Sequence, residues 1–372
     1  MAVIDRIQVS WYRSTFPTPI TNGKYTYTVS QVVMVEITDQ DGATGIGWVS
    51  GNATVYQAVL EWAPQIMGMA TDTIERIYDR LYQPKLIGRK GLSTRAVSAL
   101  DIALWDHLGQ QTGLSVHRLL GGYRDSIPVY IAGGYYQEGK GVSQLAEEML
   151  GYVASGAKAV KMKIGALPLS QDLLRVQAVR DAVGDEVDIL VDANGAYRTD
   201  MARQMARRLA DLRVFWFEEP LSAENLAGYR LLRQDGAVTI AHGENEYTRY
   251  GFRDLIAGQT VDVINADAQV LGGISEWRKV ASFANAYEIP IAPHGNQEIH
   301  IHLVTAVPGG LILEYYNENV VGLMQEMLVE RLPLNPDGTV SVPNAPGLGV
   351  HLDQSVLARY LVASETIRPS QA

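Results

Sequence analysis

Apolar and polar positions change rhythm along the chain, and each change marks a different kind of element. Near the start, IDRIQVSWYR and SQVVMVEITDQDGATGIGWVS alternate apolar with polar residues, the period of half-buried strands, and Asp41-Gly42 predicts a hairpin turn. Between these runs lies STFPTPITNGKYTYT, from Ser14 to Thr28, with Pro17, Pro19, Asn22-Gly23, Tyr25 and Tyr27. It is long for a hairpin connection and reads as a lid loop over residues 14–28. A helical period follows from Ser93 to Gly113, where Val97, Leu100, Leu104 and Leu108 share one face. Ser93 or Thr94 is placed to cap its start and Gly113 to end it. Strands first and helices after make residues 1–125 an α+β domain.

From about Ile127 strands and helices alternate. Eight short apolar runs read as strands: VYIAGGY, VKMKIG, DILVDAN, VFWFEEP, VTIAHGE, VDVINAD, IPIAPHG and LILEY. Helical segments such as QLAEEMLGYVASG and RQMARRLADL lie between them. Eight such units in under 200 residues predict an α/β fold, a TIM-like (β/α) barrel over residues 126–317. It is of the modified (β/α)7β kind, with its last helix replaced or displaced. An open doubly wound sheet is the alternative, but no Gly-rich phosphate fingerprint follows the first strand. Residues 318–372 lose the alternation and end in a segment expected to pack back on the N-terminal domain.

Several of these strands end in a charge. Asp192, Glu218 and Glu244 lead the ends of the third to fifth, and both intervals are 26 residues, about one repeating β/α unit. Carboxylates at the C-terminal ends of successive parallel strands converge on one mouth and repel one another unless a cation neutralises them. Hard oxygen ligands without cysteine select Mg²⁺, with Mn²⁺ as a substitute. Asn194 and Glu219 are neighbours of these ligands. Lys161 and Lys163 stand two apart on the second strand and so share a face. Mutual repulsion and desolvation are expected to bring a lysine pKa down to base strength. Asp267 and His294 end the sixth and seventh strands and form an acid/base dyad. Glu314, ending the eighth, is a candidate hydrogen-bond donor to an oxyanion if its site keeps it protonated. His300 and His302 are two apart in a helix and do not share a face, and Trp216 and Trp277 read as packing residues. The assembled chemistry is removal of a proton α to a metal-bound carboxylate, with Lys163 on one side of the α-carbon and His294 on the other. Reprotonation on the opposite face would invert the centre; loss of a β-hydroxyl would give dehydration.

Composition narrows the partners. The formal net charge of −10 and the lack of a basic tract exclude nucleic acid as an expected partner. No run reaches membrane-spanning length, and MAVIDRIQVSWY does not read as a secretory leader. The absence of cysteine excludes disulfides and fits a reducing, cytoplasmic setting.

These residues in this order resemble the enolase superfamily, in its mandelate racemase subgroup. The likeness rests on Lys161-x-Lys163, on Asp192, Glu218 and Glu244, and on Asp267, His294 and Glu314. ALDIALWDHLGQQTGLSVHRLLGG resembles the family's capping-domain helix, and LGGISEW follows the sixth strand as in the family. The resemblance implies a capping domain whose early loop closes over the barrel, Mg²⁺ on the three acids, Lys163 and His294 as the two bases, and Lys161 near the substrate carboxylate. It also implies symmetric homo-oligomers, from dimer to octamer. Members with this Lys and His pair resemble acid-sugar dehydratases; racemases, epimerases and lactone cycloisomerases share the groups. Tyr25, Tyr27, Tyr135 and Asn194 are the candidate substrate-binding residues, and a polar lid with tyrosines suits a polyhydroxylated acid. A non-catalytic sugar-acid binding protein is the remaining alternative, and retention of every catalytic group argues against it.

Overall fold

The computed structural model describes residues 2–317, 320 and 322–369. Residues 318, 319, 321 and 370–372 of the C-terminal segment lie outside the described residues.

The N-terminal part is built on an antiparallel sheet of β1 (Ile4–Thr21), β2 (Thr26–Asp39) and β3 (Thr44–Ser50). Asp41 and Gly42 turn the chain between β2 and β3, where the Asp39 carboxylate accepts from the Asp41 and Ala43 amides. The stretch expected as a lid loop is instead the far end of the β1–β2 hairpin, paired out to Thr21 and Thr26. Its threonines and tyrosines suit a strand. Pro17 and Pro19 sit in the irregular stretch between Thr15 and Ile20, where a missing N–H costs no ladder bond.

The helix Leu92–Thr112 packs along β3 and β2 and is buried on nearly every side. Gly91 precedes it and Gly113 closes it in the left-handed conformation. Ser93 and Thr94 therefore lie inside the first turn, where they cannot cap it.

The barrel strands are β4 (Ser126–Ala132), β5 (Ala159–Lys163), β6 (Asp188–Asp192), β7 (Trp216–Glu218), β8 (Thr239–His242), β9 (Val263–Ile264) and β10 (Leu313–Tyr315). They are parallel, in the order β10-β4-β5-β6-β7-β8-β9. The seventh strand expected from IPIAPHG is reduced to ladder bonds around Ile291, which bridges Ile264 on one side and Gly310 on the other and completes the ring. Pro290 explains its brevity: it has no N–H to give, and its carbonyl accepts from Ile264. After the ring, β11 (Thr339–Ser341) pairs antiparallel with β4. The last strand, β12 (Leu361–Ile367), returns to the N-terminal sheet as the edge beside β1. No helix among the described residues is long and apolar enough to cross a membrane.

Candidate active site

Alternation along the strands decides what reaches the barrel mouth. On β5, Val160 and Met162 pack outward, whereas Ala159, Lys161 and Lys163 point inward; on β6 and β7, Leu190, Asp192, Trp216 and Glu218 do the same. The ladder pairs Lys163 with Asp192 and Asp192 with Glu218, so the charged ends stand at one level. Glu244 follows β8 and completes the group.

Asp192, Glu218 and Glu244 each offer an oxygen within 4.8 Å of the others. All three are buried, and Glu244 Oε2 accepts no hydrogen bond. Burial pushes the Glu218 carboxyl up to about 8 against the pull of Lys161, and Glu244 up to about 7 against that of His294. Three buried carboxylates with oxygens this close repel one another and fit a hard divalent cation, which would satisfy the Glu244 oxygen that accepts no hydrogen bond and relieve the repulsion.

The lysines depart from expectation. Burial alone would lower both, but Lys161 Nζ lies 2.9 Å from Glu218 and 2.5 Å from Glu314, and Lys163 Nζ lies 2.5 Å from Asp192. These carboxylates outweigh desolvation and mutual repulsion, and raise both amines above the ordinary lysine value. Glu314 is corrected too: despite its burial, Lys161, His294 and Lys163 hold it down at about 2, so it is an ionised acceptor and takes the Gly295 amide at 2.6 Å.

His294 Nδ1 lies 3.0 Å from Asp267 Oδ2, and its Nε2 faces Glu244 Oε2 at 3.4 Å. Burial would lower its pKa, but Glu244, Asp267 and Glu314 raise it to about 10. Lys163 and His294 thus flank the acid triad at opposite ends, one against Asp192 and the other against Glu244. His300 lies behind the dyad, with Nε2 3.5 Å from Asp267 Oδ1 and bonds to the Ala268 amide and Gly295 carbonyl, whereas His302 is engaged elsewhere, with the His117 amide and Leu348 carbonyl.

Comparison with known proteins agrees with this geometry. Residues 6–121 match the mandelate racemase / muconate lactonizing enzyme N-terminal domain, and residues 144–356 match the enolase C-terminal domain-like family. The chain belongs to the enolase superfamily, in its mandelate racemase subgroup. It is 33% identical to an arabinonate dehydratase of Saccharolobus solfataricus, over 89% of this chain and 90% of that one. It is also 33% identical to a 3,6-anhydro-alpha-L-galactonate cycloisomerase of Streptomyces coelicolor, over 97% and 100%. Among solved structures, an L-talarate dehydratase from Polaromonas complexed with Mg and L-glucarate superposes with a TM-score of 0.91 at 30% identity, covering 99% of this chain and 100% of that one. This mandelate racemase relative is an enzyme, of the lyase or racemase kind.

The hairpin tip of this subgroup member sits over the mouth. Thr21 exchanges both backbone bonds with Tyr136, just past β4. A Cβ on Gly23 would stand 2.2 Å from the Ala193 carbonyl and 2.5 Å from that of Ile164. Tyr27 takes a bond from Asn22 at 3.1 Å, and burial, offset in part by Lys163, pushes its hydroxyl up to about 12. Tyr25 is exposed at the rim, whereas Tyr135 is half-buried with Lys163 Nζ 5.3 Å from its ring centre. Asn194 adopts a left-handed backbone, gives its amide N–H to Asp192 at 2.8 Å, and reaches Glu244 at 3.3 Å.

Sequence reasoning missed several contributors. Trp216 stacks on no open surface; its indole N–H donates to Glu218 Oε2 at 3.0 Å inside the barrel. Its place two residues before Glu218 on one strand was the available signal. Asn245 bridges Glu219 at 2.8 Å and Glu244 at 3.3 Å, and His242 holds the other Glu219 oxygen. Arg175 clamps the Lys163 and Gly134 carbonyls, a contact that no local pattern announces.

Proposed function

We propose that the protein removes the proton α to the carboxylate of an acid sugar and then eliminates the β-hydroxyl as water, giving a 2-keto-3-deoxy acid with Mg²⁺ as cofactor. The observation that carries this reading is the placement of Lys163 and His294 at opposite ends of one buried acid triad. Asp192, Glu218 and Glu244 would hold the ion, which when bound supplies positive charge for the electron density arriving on the substrate carboxylate.

The chain's own groups then divide the proton work. Lys163 keeps its proton while Asp192 is free to bond to it; with the Asp192 oxygens engaged as ligands, burial would favour the neutral amine, the base for the α-proton. His294, which Asp267 and Glu314 as well as Glu244 hold in its charged form, donates its proton to the departing hydroxyl. Asp267 fixes the imidazole with Nδ1 toward itself and Nε2 toward the mouth. Lys161, locked between Glu218 and Glu314, supplies fixed positive charge at the triad. The balance is one C–H proton to Lys163, one proton from His294, and water lost, leaving an enol whose O–H proton is exchanged for one at C3 to give the 2-keto-3-deoxy acid.

The same two groups permit inversion or cycloisomerisation, and the cycloisomerase relative matches along nearly all of this chain. The test is a screen of acid sugars with Mg²⁺ in D₂O, read by a 2-keto-acid assay and proton NMR. New keto acid from one or two stereoisomers establishes dehydration. Deuterium at the α-carbon without keto acid assigns racemisation, epimerisation or lactone chemistry instead. No exchange with any acid sugar overturns the reading.

A further inference from the structure

Of the cavities that open beside the site, two share Tyr27 as part of their walls. Their charges are opposite in character. The smaller, about 280 Å³, includes Glu219, Glu224 and Glu244 in its lining. The larger, about 480 Å³, runs between the N-terminal sheet and the barrel; no Asp or Glu appears among the described residues that line it. Its charged or chargeable groups are His294 on the barrel side and Arg95, from the helix Leu92–Thr112, on the cap side.

Arg95 is the guanidinium that the described lining of this cavity presents with no acid in the same lining. Arg95 is half-buried, and no carboxylate among the described residues forms an ion pair with it. Among the described residues, its partner at hydrogen-bond range is the Ser50 carbonyl, 3.5 Å from one terminal nitrogen. A guanidinium has five N–H donors in a planar fork suited to a carboxylate, so one such bond leaves most of that capacity for a ligand. Gln31 and Asn52 add uncharged polar groups to the same wall. The cap is braced against the barrel here: the Trp48 indole donates to Asn296 at 3.0 Å, and Gln269 donates to the Trp48 carbonyl at 2.9 Å.

We infer that Arg95 receives the second carboxylate of a diacid sugar whose first carboxylate and α-carbon lie at the metal triad, so that the substrate is an aldarate in preference to an aldonate. The inference rests on the acid-sugar reading above and narrows its substrate class. Lys24 is the rival cation, but it belongs to the cavity that the glutamates share, where an anion is repelled.

The test compares the Mg²⁺-loaded wild type with Arg95→Gln and Arg95→Lys. Each is titrated calorimetrically with the six-carbon aldarate stereoisomers and with the aldonates of matched configuration. The quantity read is the ratio of diacid to monoacid affinity, which cancels general loss of fold. Wild type is expected to prefer at least one diacid, the ratio falling about 10- to 100-fold in Arg95→Gln and partly recovering in Arg95→Lys. A wild type without diacid preference, or a ratio unchanged by Arg95→Gln, overturns the inference. Turnover of aldonates alone would do so while leaving the dehydratase reading intact. Arg95-dependent diacid binding with no α-proton exchange would keep this site and overturn that reading.

Discussion

The hairpin tip offers the sharpest mechanical test of how cap and barrel cooperate. Gly23 is not in a left-handed conformation, so Gly23→Ala introduces a steric problem without a conformational one. The new Cβ would lie 2.2 Å from the Ala193 carbonyl oxygen and 2.5 Å from that of Ile164. Ordinary contact lies about 1 Å farther out, and both neighbours are backbone at the ends of β5 and β6, beside Lys163 and Asp192. The tip must therefore lift by about 1 Å, and overpacking of this kind costs about 1–3 kcal/mol. A displacement of that size at a positioning element lowers turnover by about 100-fold. Two measurements check this: kcat/KM on the acid sugar identified by the screen, and hydrogen exchange at the Thr21 and Tyr136 amides, whose mutual bonds tie the tip down. Turnover is expected to fall and both amides to exchange faster, because the tip lifts off the ends of β5 and β6. A Gly23→Ala enzyme within threefold of wild type, with both amides still protected, would refute the argument that a seated tip completes the site.

The remaining predictions concern charge. Glu218→Gln removes a triad oxygen and the partner of Lys161 and Trp216, so Mg²⁺ affinity by calorimetry should drop by about 100-fold or more, with activity falling alongside. Full activity without any divalent metal would sink the site assignment. His294→Asn should abolish dehydration yet leave α-proton exchange with D₂O if Lys163 acts first; loss of both would place His294 in the proton-abstraction step. Away from the site, burial raises the Asp101 carboxyl to about 7 from 3.8, so the folded state holds an extra proton between those values. Its stabilisation is complete below about pH 4 and is lost as pH rises through 7, about 2–3 kcal/mol between pH 5 and 8. Urea unfolding at both pH values should show that fall as the difference between wild type and Asp101→Asn; a constant difference would contradict it.

How much of this was legible beforehand follows from the range of the forces involved. Strand period and chain order are local, so the barrel order, the inward face shared by Lys161 and Lys163, and the converging ends of β6 and β7 could all be read from residue spacing. The hairpin could not: Pro17, Pro19 and the length of residues 14–28 all pointed to a loop. The pairing that makes it a strand depends on an irregularity placed to absorb both prolines. The seventh strand failed similarly, because Pro290 leaves too few N–H groups for a ladder longer than the bridges at Ile291.

The lysine electrostatics show most clearly where reading by pattern ends. Two amines on one face repel, and that much follows from spacing two apart on a strand. The sign of the shift depends on which charge stands nearer. Asp192 and Glu314 approach to 2.5 Å from strands 29 and more than 150 residues along the chain, and at that range a carboxylate outweighs a neighbouring ammonium. Two of the acids that hold the lysines charged, Asp192 and Glu218, belong to the triad suited to a cation. On the proposed mechanism, a lysine fit to act as a base would be a property of the site with its acids engaged, and no property of the β5 sequence by itself: Lys163 would give up its proton only once Asp192 had been taken up as a ligand.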